Sequence, residues 1–228
     1  DIETGKASPS NVLDYMLRSL IRQREKKNIS LALPQNLSIN EIINLLGKHF
    51  HHCYKSHGAA RLPVLALYAA YQCLMTECKR FDGKNLLPLE SHTSADSQSG
   101  RMGDIDVNNQ DNTPFEAVEV KFDIPISYEI AQTAKSKIEK SKVSRYYILS
   151  TKGTVDADAE NIDKIIRQLK NIHGCQLVVN GVFPSLKYYL RIIEDTSVFI
   201  ENYVMLLSKD KAVLFEHKEA WNDLVSSL

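Results

Sequence analysis

Several features that would narrow the possibilities are missing from this sequence. It has only four cysteines, Cys53, Cys73, Cys78 and Cys175, and their spacing matches no CxxC framework. A thiolate metal cluster or disulfide scaffold is therefore not expected, and reduced, buried thiols in a cytoplasmic protein are. No apolar run approaches the roughly 18 residues that a membrane span requires, and no secretory leader is legible at the start. The charge balance is nil, with 28 Lys and Arg against 28 Asp and Glu. A broad polyelectrolyte binder depends on a large basic excess, so that class is disfavoured, whereas a local basic cleft remains compatible with neutrality. Internal repeats, low-complexity tracts and convincing linkers are also lacking. Because the chain begins with Asp1 rather than Met, a longer parent protein carrying a further domain remains open.

What is present is enough apolar content, 43% of 228 residues, for one sizeable core. A single domain is expected, with a helical N-terminal part (1–80), a central α/β core (86–182) and C-terminal helices (184–228). Ser8-Pro9-Ser10 reads as a helix start, followed by Val12, Leu13, Met16, Leu17, Leu20 and Ile21 at helical spacing. The basic end of that helix, Arg22, Arg24, Lys26 and Lys27, reads as a solvated face. A second helix opens near Leu37, with Ser38 or Asn40 as its cap, and runs to His49-Phe-His-His-Cys53. His49 with His52 or Cys53 has zinc-ligand spacing, but no second ligand pair accompanies it, so ordinary histidines at a helix end are expected. Leu62 to Cys78 reads as a buried helix. Leu86 to Glu90 reads as a short strand. Further on, a helix over about 128–142, a strand over 146–150, a helix over 156–173 ended by Gly174 and a strand over 176–182 follow in turn, then two helices over 186–207 and 212–228. Strand, helix, strand in that order implies parallel crossovers.

The most informative stretch is Gly103 to Lys121. Gly-Asp-Ile-Asp-Val and Ala-Val-Glu-Val-Lys each alternate polar with apolar residues, and between them lies Asn-Asn-Gln-Asp-Asn-Thr-Pro, nearly pure turn chemistry. The expectation is a β-hairpin with Val118, Val120 and Phe122 pointing into the core. Alternation then gathers Asp104, Glu119 and Lys121 at one end of the sheet, with Asp106 and Glu116 as acidic neighbours. Two carboxylates beside a lysine suit a hard divalent cation that holds and polarises a phosphodiester.

These residues resemble the PD-(D/E)xK nuclease motif: Asp104 at its first position, Glu119 and Lys121 at the last two, and Gly103 where the motif usually has proline. The resemblance implies a restriction-endonuclease-like fold, a mixed sheet flanked by helices. It also implies Asp104, Glu119 and Lys121 as catalytic residues and Mg²⁺, with Mn²⁺ able to substitute, held by Asp104 and Glu119. In that superfamily a preceding helix often adds an acidic ligand, which here would be Glu77; Asp106 is the candidate for a second metal. A longer pattern, His92-Thr-Ser-Ala-Asp96, then Gly103 to Lys121, then Arg145 to Thr151, is similar to type II restriction endonucleases of prokaryotic cytoplasm. It covers under a third of the chain. The implied substrate is a short site in double-stranded DNA cut by a homodimer, with His92, Asp96 and Arg101 from the loop, and Lys135 and Lys137 from the following helix, as DNA contacts. Two rivals are a repair or recombination nuclease that recognises DNA shape and a DNA-binding module without catalysis.

Overall fold

A computed structural model describes residues 8–27, 29–90 and 101–228, with side chains omitted over 21–27. His92 and Asp96 therefore lie outside the described residues. In chain order the elements are α1 (Pro9–Lys27), α2 (Ile39–Phe50), α3 (Arg61–Glu77), β1 (Lys84–Leu86), β2 (Ile105–Asn109), β3 (Pro114–Lys121), α4 (Tyr128–Glu139), β4 (Arg145–Ser150), α5 (Ala159–His173), β5 (Gln176–Gly181), α6 (Val182–Ile192), α7 (Thr196–Lys209) and α8 (Phe215–Ser226), with two short 3-10 turns. The protein is α/β. Its five strands form one open mixed sheet in the order β1-β2-β3-β4-β5. β1, β2 and β3 are antiparallel neighbours, while β3-α4-β4 and β4-α5-β5 are parallel crossovers. Among the described residues no helix is long and apolar enough to cross a membrane.

The alternation of side chains along the strands divides the interior in two. Ile105, Val107, Val118 and Leu149 face a large helical layer built from α2, α3, α6, α7 and α8, with Trp221, Tyr203 and Phe50 at its heart. Ala117, Tyr146, Ile148 and Leu177 face a thinner layer in which Ala131, Ala134 and Ile138 of α4 meet Ile162, Ile165 and Leu169 of α5. Val120 and Phe122 are partly buried against the larger cluster, as the hairpin pattern implies.

Local signals explain most of the element ends. Ser38 caps α2 through a capping box: its Oγ accepts from Glu41 N–H at 3.3 Å and its own N–H donates to Glu41 Oε2 at 2.7 Å. Gly174 ends α5 in the left-handed conformation, φ 69°, where a Cβ would be strained. Two differences from the sequence expectation stand out. The short strand is β1 at Lys84–Leu86 rather than 86–90. The expected helix over 186–207 is two, broken at Ile193, with Asp195 capping α7 by accepting from Ser197 N–H at 2.8 Å. In α1, whose apolar residues recur at helical spacing, that stripe is largely solvent-facing: Leu13, Met16, Leu17 and Leu20 are each at least half exposed.

Candidate active site

The antiparallel register between β2 and β3 positions the carboxylates. Ile105 lies opposite Val118 and Asp106 opposite Ala117. Just before β2, Asp104 N–H donates to Val118 O at 2.8 Å, so the chain bends onto β3 next to the Ile105–Val118 pair. Asp104 Oδ2 then accepts from Val120 N–H at 2.8 Å, which fixes its carboxylate over the end of β3. Gly103 is what permits the close approach. A Cβ there would lie 2.5 Å from Val118 O and 2.9 Å from its carbonyl carbon.

Glu119 is the centre of the cluster. Its Oε1 accepts from Lys121 Nζ at 2.7 Å and its Oε2 from Lys137 Nζ at 3.0 Å. The Tyr146 hydroxyl, from the neighbouring strand β4, lies 3.1 Å from Oε2 and 2.9 Å from the carbonyl oxygen of Met102. Burial opposes ionisation of Glu119. The hydrogen bond from Lys121 and the charges of Lys137 and Lys121 outweigh it, so the carboxyl is held below its ordinary value. Tyr146 is pushed far upward by burial and then by the negative charges of Glu119, Asp106 and Asp104, a sign that the three carboxylates share one field. Lys121 and Glu119 are both about one-fifth to one-quarter exposed. Together with Thr133, Lys137 and Tyr146 they line a cavity of about 100 Å³ between β3, β4 and α4.

The remaining residues singled out in the sequence occupy other positions. Asp106 is neither solvated nor free for a second metal: its two oxygens accept from Met102 and Gly103 N–H groups, both at 3.0 Å, and it is 4% exposed. It closes the turn that leads into β2, and its carboxyl is raised mainly by burial. Glu77 is on the other helical layer, where its Oε2 accepts from Glu194 N–H at 2.7 Å at the α6–α7 break. Glu116 faces that layer too, because it shares the parity of Val118, and it is buried against the Tyr71 hydroxyl and the Arg80 guanidinium. Arg101 is clamped to the segment after β1, donating to Pro88 O at 2.6 Å and Glu90 Oε1 at 3.2 Å. Lys135 bridges to α5, donating to Gln168 Oε1 at 2.9 Å. Lys137, expected on the wall of a cleft, instead enters the carboxylate cluster. His49 is wholly buried, with ring nitrogens 2.9 Å from the Tyr203 hydroxyl and 2.8 Å from His217 O, while Cys53 is exposed. Tyr146 is the residue the sequence did not flag. Its only signal is alternation in β4, which puts it on the face of Ala117.

Among the described residues no group of three or more His, Cys, Asp and Glu side chains is disposed to hold a metal by itself. Magnesium commonly takes one or two carboxylates and completes its octahedron with water and substrate phosphate. The all-oxygen pair Asp104 and Glu119, brought to the same end of β3, fits that habit. In exchange, the ammonium groups of Lys121 and Lys137 would have to give up Glu119. No protein-family model matches the chain, and no curated protein matches it.

Proposed function

We propose that this chain is a magnesium-dependent endonuclease with a restriction-endonuclease-like core, cutting double-stranded DNA at a specific short site as a type II restriction enzyme. The observation that carries this reading is the Asp104 carboxylate seated on Val120 N–H at the end of β3, between Glu119 and Lys121 of that strand. Asp104 and Glu119 are the residues that would hold the cation. When bound there, Mg²⁺ would supply charge neutralisation of the scissile phosphate and a more acidic water. Lys121, released from Glu119, would reach the same phosphate. As an ammonium it would orient the attacking water and offset the negative charge that builds on the phosphoryl oxygens, with the water's proton passing to solvent. Lys137 would hold Glu119 in place before substrate arrives and then add positive charge at the site. Tyr146, donating to Glu119 or to the Met102 carbonyl, would restrict the rotamer of the central carboxylate. The cavity beside them admits a phosphate-sized group, so the duplex would lie over its mouth. Cutting both strands of a symmetric site would take two copies of the chain.

The test is incubation of plasmid and linear DNA with the protein in Mg²⁺, in Mn²⁺ and in EDTA. Discrete fragments that vanish in EDTA are the expected result. A smear would favour a nuclease that recognises DNA shape. Binding without cleavage in either metal would favour a silent DNA-binding module, a reading to which the saturated hydrogen bonding of Glu119 lends some support.

A further inference from the structure

The opposite face of the sheet carries a second concave feature. Alternate residues at the start of β4 and along β5, Arg145 and Tyr147 with Gln176 and Asn180, form the floor of a cavity of about 320 Å³, and Arg80 and Tyr188 stand at its walls. That volume lies at the lower end of the range for small-molecule sites, about 300–1,000 Å³, and exceeds what an inorganic anion needs. No carboxylate lines it. Arg80 is spent on the buried Glu116 and is held flat by the rings of Phe81 and Phe115, 4.7 and 5.6 Å from its guanidinium carbon. The Arg145 side chain makes no hydrogen bond and no close ion pair among the described residues. Two guanidinium groups against one carboxylate leave the cavity with one positive charge to spare. Tyr188 is 60% exposed at the rim, its ring backed edge-on by Tyr189 at 6.0 Å. Gln176 makes no side-chain hydrogen bond among the described residues, while Asn180 donates to Ser185 Oγ at 3.1 Å and keeps its carbonyl oxygen available.

A planar fork for a phosphate, an exposed ring for a base and two amides for heteroatoms together describe one kind of ligand. From this geometry we propose that the cavity binds a phosphorylated nucleoside, with Arg145 on the phosphate and Tyr188 stacked on the base. The site is on the sheet face away from Asp104 and Glu119 and does not rest on the nuclease reading. The same chemistry has two sources, a free mononucleotide and the phosphorylated end of a DNA strand, and the experiment separates them.

Calorimetric titrations of the whole chain in EDTA, where metal-dependent cleavage cannot contribute, use adenosine 5′-monophosphate, adenosine, inorganic phosphate, and decathymidylate with and without a 5′-phosphate. Saturable binding of adenosine 5′-monophosphate is expected, with adenosine and phosphate each about tenfold weaker or more, since each lacks one of the two anchors. Arg145→Gln and Tyr188→Ala should each lower the affinity by about tenfold. Tyr188→Ala removes a mostly exposed ring and so leaves the fold intact even if Arg145→Gln weakens it by removing a positive charge from the field around buried Glu116. Binding by the 5′-phosphorylated strand alone would identify the occupant as a strand end and uphold the chemistry. The proposal is overturned if neither nucleotide probe saturates, if phosphate binds as tightly as the mononucleotide, or if Tyr188→Ala leaves the affinity unchanged.

Discussion

Substituting Gly103 by alanine probes the closest approach in the candidate site. The new Cβ would lie 2.5 Å from Val118 O and 2.9 Å from its carbonyl carbon, both backbone atoms that no rotamer change can move. An ordinary carbon–oxygen contact is about 3.3–3.6 Å, so β2 must retreat from β3 by most of an ångström at this point. The retreat overpacks the strand pair at about 1–3 kcal/mol. It also stretches the 2.8 Å bond from Asp104 N–H to Val118 O, which stabilises the fold by about 0.5–1.5 kcal/mol. The stiffer unfolded chain of the alanine variant returns about 0.4–1 kcal/mol. A net loss of about 0.5–4 kcal/mol is expected, read as a lower midpoint with unchanged slope in urea unfolding. In a domain of this size it corresponds to a fall in Tm of about 2–4 °C per kcal/mol. The same retreat carries Asp104 away from Glu119, so any Mg²⁺-dependent activity should fall more steeply than stability does. A midpoint within about 0.5 kcal/mol of the parent would refute the account, because the contact involves main chain and cannot be relieved locally.

Four other outcomes follow. Lys121→Ala and Asp104→Asn should each reduce DNA cleavage by at least about 100-fold while leaving DNA binding within a few-fold, measured by fragment release and by gel shift; undiminished cutting by either variant would remove the assignment. Glu119 is held below its ordinary value, so the stability it contributes is present above about pH 4.3 and is lost as pH falls through the folded value; Glu119→Gln should flatten the acid limb of a stability profile below that point. His49 is lowered to about 4 by burial, so its contribution is complete above about pH 6.5 and disappears as pH falls toward 4. His49→Gln should show a shallower decline across that window, and a parent-like decline would contradict the burial argument. His49→Ala, which strands the Tyr203 hydroxyl and the His217 carbonyl and leaves a hole, should cost about 3–5 kcal/mol by denaturant unfolding.

Where period and turn chemistry agree, the sequence predicts the structure well. The hairpin of β2 and β3, the helix ended by Gly174, the capping of α2 by Ser38 and the parallel order from β3 to β5 all rest on local patterns of this kind. The nearness of Asp104 to Glu119 was readable because a two-residue alternation and a hairpin bring the start of β2 to the end of β3, where Asp104 Oδ2 accepts from Val120 N–H. Glu116 and Asp106 were misjudged because period alone says which face a residue takes but not what lies above that face. Above Glu116 the helical layer places Tyr71 and Arg80, and beside Asp106 the chain turns two N–H groups inward. Partners far apart in the chain, Tyr146 with Glu119 or Glu77 with Glu194, leave no imprint on local composition. The break at Ile193 was hidden for another reason: the residues on both sides are apolar at helical spacing, and only the Asp195 cap marks the interruption.

The strand order has a consequence for how the molecule is made. Each strand pairs with the one synthesised just before it, so from β1 to β5 the sheet can grow along one edge as the chain leaves the ribosome, with no gap awaiting a later strand. The helices that precede it have no such arrangement. Nearly all of α3 is buried in the finished protein, yet its partners α6 and α7, and those of α2 in α6 and α8, come from the last fifth of the chain. Until α6 and α7 have emerged, α3 lacks its cover, and loss of α8 would remove one of the two later helices that pack on α2.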